Sequence, residues 1–85
     1  MDSEKFHALL KAIECGSLTG AAEELGYTQA GLTHMMNRLE KEIGVSLLQR
    51  TKLGVKLSPD GKDLLPYIKQ FTDAASALDT AIGNI

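Results

Sequence analysis

Residues 16–33 read Gly16-Ser17-Leu18-Thr19-Gly20-Ala21-Ala22-Glu23-Glu24-Leu25-Gly26-Tyr27-Thr28-Gln29-Ala30-Gly31-Leu32-Thr33, and two capped helices are written into them. Ser17 offers a side-chain oxygen to the unpaired amides that open a helix, which runs through Ala21, Ala22 and Leu25 until Gly26 stops it. Thr28 repeats the capping chemistry for a second helix that continues to Ile43 and ends at Gly44. Ala22 is small, as a position where two helices approach closely requires. Gly26 can take the positive φ of a tight turn, and Leu32 and Met35 are apolar where the second helix must seat on a core. The pattern predicts a helix-turn-helix, but glycine-joined helix pairs also occur in other small helical domains. The flanking sequence decides between them.

Upstream, Ser3 is placed to cap a first helix with Glu4 near its positive end and Phe6, Leu9, Leu10 and Ile13 at helical spacing, closed by Gly16. Along residues 28–43, Leu32, Met36, Leu39 and Ile43 fall on one side at 100° per residue, with Met35 at the edge. Ala30, Thr33, His34, Asn37 and Lys41 fall opposite. That outer face is small, polar and sparsely charged, which suits hydrogen bonding to base edges. Downstream, Val45, Leu47 and Leu48 lead into the polar turn Arg50-Thr51-Lys52-Leu53-Gly54, and Val55-Lys56-Leu57 alternates like a strand. A hairpin, or wing, over about residues 49–55 is expected. Ser58-Pro59 then opens a last helix, because serine caps and proline suits the first helical position. The fold expected is mainly α: three helices and a two-stranded wing over residues 1–57, then a long linker helix over residues 58–85.

The chain of 85 residues carries a net charge of −2, an unexpected sign for a protein that meets an anionic polymer. The distribution reverses the impression. Residues 28–57 hold Arg38, Lys41, Arg50, Lys52 and Lys56 against Glu40 and Glu42, a local charge of +3, while the segments on either side are acidic. Catalysis finds no support: His7 and His34 are the only histidines, no serine or cysteine sits in a nucleophile motif, and no glycine-rich loop follows a strand. Cys15 is the single cysteine and has no neighbour at metal-ligand spacing. No metal and no cofactor are expected in this chain. With no apolar run long enough for a membrane span and no basic leader, a soluble cytoplasmic protein is expected.

Four stretches together resemble the signature of LysR-type transcriptional regulators: Gly16 to Leu25, Thr28 to Thr33, Leu39 to Arg50, and Val55 to Gly61. The resemblance covers essentially the whole chain. It implies that residues 28–43 are a recognition helix lying in the major groove of duplex DNA. Gln29 would then face adenine, Ala30 or the Thr33 methyl a thymine methyl, and His34 and Asn37 further base edges. Thr19, Thr28, Arg38, Arg50, Thr51 and Lys52 complete the implied DNA-contacting set, mostly on phosphates. His34 stands where the family commonly carries arginine, so base preference there is expected to differ. The resemblance also implies a larger carboxy-terminal domain that binds a small-molecule effector, making this chain an amino-terminal fragment. The alternative considered is a winged helix that contacts only protein.

In the last helix Leu64, Ile68, Phe71, Ala75, Leu78 and Ile82 recur at alternating spacings of four and three, the pattern of a coiled-coil seam. A helix of that length outruns so small a domain, so a dimer interface is expected. By the family resemblance its partner is the same helix of a second copy, running antiparallel. Pro66 lies inside the helix and is expected to bend or adjust it.

Overall fold

The computed structural model describes residues 3–85. Its elements run α1 (Ser3–Cys15), α2 (Leu18–Leu25), α3 (Gln29–Ile43), β1 (Leu48–Thr51), β2 (Gly54–Leu57) and α4 (Pro59–Gly83). This is the expected winged helix-turn-helix followed by a long helix. Three caps work as the sequence suggests: the hydroxyls of Ser17, Thr28 and Ser58 accept from the amides of Gly20, Gly31 and Gly61 at 3.0, 2.9 and 2.9 Å. Each such cap is worth about 1 kcal/mol. Ser3 differs from expectation, since it is the first residue within α1 instead of a cap ahead of it. The α2–α3 turn pivots on Gly26 at φ 78°, a left-handed conformation that costs a side-chain-bearing residue energy.

One core gathers the apolar faces. Phe6, Leu9 and Ala12 of α1, Ala21 and Ala22 of α2, and Leu32, Met36 and Leu39 of α3 meet Leu47, Leu48 and Ile68. Full burial of each leucine or methionine contributes roughly 1.5–3 kcal/mol. Ala22 is buried against the turn as the close approach requires, and Met35 and Ile43 border the cluster. Around it, Lys5 pairs with Glu42 across α1 and α3 at 3.2 Å, and the Tyr27 hydroxyl donates to Glu4 at 2.6 Å. Lys11 sits between Glu14 and Glu24, whose carboxylates hold its ammonium pKa above the usual lysine range by hydrogen bonding and charge. Partial burial, reinforced by the charge of Glu24, pushes the Cys15 thiol upward.

The wing is an antiparallel pair in the register Leu48↔Leu57 to Thr51↔Gly54. Backbone pairing thus reaches further than the alternation of side chains suggests. Arg50 and Thr51 belong to β1, and only Lys52 and Leu53 form the turn. Gly54 lies against the α1–α2 corner at φ 127°, where a Cβ would collide with the carbonyl of Gly16. That same carbonyl accepts the Val55 amide at 3.0 Å and ties β2 to the corner.

α4 leaves from a tight anchor. The Ser58 amide donates to the Leu47 carbonyl at 2.9 Å and its hydroxyl to the Ser46 carbonyl at 2.6 Å. The helix continues without interruption through Pro66. Its first turns pack on the body through Leu64, Ile68 and Thr72, and Phe71 meets Phe6 edge to face at 5.7 Å between centroids. Beyond Ala75 every residue is exposed.

Candidate nucleic-acid interface

The outward face of α3 emerges from the same periodicity that buries its inner one. With Leu32, Met36 and Leu39 turned to the core, Gln29, Ala30, His34, Asn37 and Arg38 are exposed and Thr33 is half-buried. Gln29, Ala30, Thr33, His34 and Asn37 line one shallow depression. At one end it continues past His34 to Arg38, Lys41 and Glu42. At the other, Gln29 is shared with a crevice formed by Thr19 at the start of α2 and by Arg50, Thr51 and Lys52 of the wing. Gln29 and His34 therefore join three depressions into one strip, along which ten of the eleven residues named from the sequence lie.

Thr28 is the eleventh, and it is exposed beside the strip with its hydroxyl occupied in capping Gly31. The strip has a wall and a floor of different chemistry. The floor, on α3, offers amide, hydroxyl, imidazole and methyl groups; the wall, on the wing, offers Lys52 at the hairpin tip. Thr51 shapes that tip, since its hydroxyl accepts the Leu53 amide at 3.1 Å. Leu53 itself is 98% exposed.

Charge on this strip is more positive than the composition implies. Both carboxylates of residues 28–57 are occupied, Glu42 by Lys5 and Glu40 by Arg50. Arg38, Lys41, Lys52 and Lys56 are all exposed and enter no salt bridge among the described residues. The acidic side chains of α1 and α2 are spent partly on Lys11, away from the strip.

Glu40 is the residue that sequence reading did not single out. Its side chain, 17% exposed, accepts from the amides of Leu47 and Leu48 at 2.6 and 3.0 Å, from the Ser46 hydroxyl at 3.3 Å and from the Arg50 guanidinium at 2.8 Å. A sequence signal existed in the opposite charges of Glu40 and Arg50, although amide donors carry no side-chain signature.

The seam residues of α4 divide into two groups. Leu64, Ile68 and Phe71 line an apolar depression with Phe6, Ile43, Val45 and Tyr67. Ala75 is half-buried, whereas Leu78 and Ile82 are 60% and 59% exposed. No helix among the described residues is long and apolar enough to cross a membrane, and no group of His, Cys, Asp and Glu among them is arranged to hold a metal.

Comparison with known proteins agrees with this architecture. The family model described as bacterial regulatory helix-turn-helix protein, lysR family, matches residues 3–62. An HTH-type transcriptional regulator of Mycobacterium bovis is 35% identical over 80 residues, covering 94% of this chain and 26% of that protein. IlvR, an HTH-type transcriptional regulator of Caulobacter vibrioides, is 38% identical over 82 residues, covering 95% of this chain and 28% of its own. The chain thus spans about a quarter of the length of such relatives. Among solved structures, the DNA-binding domain of CbnR in complex with DNA matches with a TM-score of 0.87 and 25% identity, over 99% of this chain and 97% of that one.

Proposed function

The chain belongs to the lysR family of bacterial regulatory helix-turn-helix proteins, as a DNA-binding domain and not an enzyme, and from that premise we propose how it meets DNA. α3 enters the major groove, where each base pair presents a distinct set of donors and acceptors. Gln29 faces adenine, Ala30 and the Thr33 methyl face thymine methyls, and His34 and Asn37 meet neighbouring edges. Thr19, Thr28, Arg38, Thr51 and Lys52 fix the register on phosphates, which orient without encoding sequence. The chain acts in the cytoplasm and docks without a cofactor. A second copy, joined through the exposed end of α4, places two such helices on an interrupted inverted repeat. Effector binding belongs to a further domain of the whole regulator.

The observation that carries the reading is the continuous strip, polar along α3 and cationic at its ends, where Glu42 is paired with Lys5 and Glu40 with Arg50 while Arg38, Lys41 and Lys52 enter no salt bridge among the described residues. Selection from a random duplex pool, followed by titration over a range of KCl concentrations, tests it. An enriched inverted repeat is expected, with log affinity falling by roughly 0.9 per phosphate neutralised for each log unit of salt. A pool without enrichment and binding indifferent to salt would instead support the winged helix as a protein-contact module.

A further inference from the structure

A rigid wing needs to be held at two places, and the structure shows both holds. β2 is tied to the α1–α2 corner by the Val55 amide on the Gly16 carbonyl at 3.0 Å. β1 is tied to the last turns of α3 by one carboxylate. Glu40 Oε2 accepts the Leu47 and Leu48 amides at 2.6 and 3.0 Å where the strand begins, and Oε1 accepts Arg50 Nη2 at 2.8 Å in its middle. Two attachments along one short strand fix its direction as well as its position. Because the receiving side chain is on α3, that direction is set relative to the helix whose outer face forms the floor of the strip.

We propose that Glu40 is a positioning residue that sets the wing against the recognition helix, and that Arg50 is the wing-side strut of this clamp and not a reader of phosphate. The inference rests on the DNA-docking reading above and deepens it. An arginine that left Glu40 for a phosphate would give up a charge-assisted hydrogen bond and leave a mostly buried carboxylate without its counter-charge beside an anionic backbone, held only by the Leu47 and Leu48 amides and the Ser46 hydroxyl. Lys52, two residues further on at the hairpin tip and with no salt-bridge partner among the described residues, meets no such penalty.

The two roles for Arg50 predict different salt slopes for Arg50→Gln and opposite signs for Glu40→Gln. Affinity of the domain for its selected duplex is measured against KCl concentration for the wild type, Lys52→Ala, Arg50→Gln, Glu40→Gln and the double variant, each first checked for native circular dichroism. Lys52→Ala is expected to lower the salt slope by ~0.9. A strut lost in Arg50→Gln weakens binding about tenfold at every salt concentration and keeps the wild-type slope. Glu40→Gln also weakens binding, although it removes a negative charge near DNA, and the double variant is no weaker than the poorer single one. The inference is overturned if Arg50→Gln lowers the slope as Lys52→Ala does, if Glu40→Gln tightens binding, or if either change leaves affinity untouched. Should a variant fail to fold, the wild type still decides: the nitrogen-15 resonances of the Arg50 guanidinium should keep their coupling to Glu40 when duplex is added, and their transfer to the DNA would overturn the clamp. A wild type that binds no duplex sinks the docking reading and this inference together, whereas binding with reversed signs sinks the inference alone.

Discussion

Replacing Gly54 by alanine puts the wing's attachment to a direct test. At φ 127° an alanine is strained, and its Cβ would collide with the Gly16 carbonyl. The strained backbone costs about 1–3 kcal/mol. Relief by separation would stretch the 3.0 Å bond from the Val55 amide to the same carbonyl, a further loss of about 0.5–1.5 kcal/mol. The stiffer unfolded chain offsets about 0.4–1 kcal/mol. The net expectation is a loss centred on about 2 kcal/mol, a large share of the roughly 4–13 kcal/mol that a domain of this size can be expected to have. Gly16→Ala is the control. Gly16 also has positive φ, at 67°, but nothing lies within 4 Å of its missing Cβ, so about 1 kcal/mol or less should be lost there after the same offset. Urea titrations followed by far-ultraviolet circular dichroism, at fixed protein concentration, would give both numbers from the midpoints if the slopes agree. Equal losses at the two glycines would show that the close approach of wing and corner is not what makes residue 54 glycine.

Thr33→Ala should change which bases are preferred, by roughly 1–3 kcal/mol of discrimination at one position, while Lys52→Ala weakens all sequences alike; a repeat selection with each variant would show a reversed assignment at once. His34→Arg places a guanidinium beside Arg38 on the strip and should change the base preferred at the position it faces, by roughly 1–3 kcal/mol of discrimination; an unchanged preference would mean that position 34 does not reach the base edges. Leu78→Asp should leave the domain folded, with stability changed by no more than about 0.5 kcal/mol, because the side chain is 60% exposed. Yet it should sediment as a monomer with much weaker operator binding, and persistence of the dimer would refute the α4 interface. The Cys15 thiol, held above its ordinary pKa first by burial and then by Glu24, should carry less thiolate at pH 8 than free cysteine and react more slowly with a disulfide reagent; faster reaction would contradict that environment.

How much of this molecule could be read from its sequence depended on whether the cause of each feature was itself a side chain. Caps are side chains, so Ser17, Thr28 and Ser58 announced the starts of α2, α3 and α4. The inner face of α3 is made of side chains at one period, so its outer face followed. The wing is legible in the sequence but its turn is narrower than the side chains suggest, because pairing of Arg50 with Val55 and Thr51 with Gly54 is a backbone matter that polar side chains on an exposed hairpin do not report. The clamp at Glu40 escaped for the same reason, as two of its donors are amides.

The α4 seam shows a different limit. Hydrophobic period says that a face is to be covered, but not by which chain. At 1.5 Å per residue the 25 residues of α4 span about 37 Å, against a molecule whose shorter dimensions are 27 and 20 Å. The body can therefore cover only part of the stripe, and the division falls where the length requires it. Ile68 is in the domain's own core and the Phe71 ring is engaged with Phe6 at 5.7 Å, so a charge at Phe71 would disturb the fold and any dimer at once. Leu78 and Ile82 lie past the last point of coverage, in the same stripe and with the same period. They are the positions where a substitution separates cohesion within the chain from association between chains, which is why the decisive aspartate belongs at 78 and not at 71.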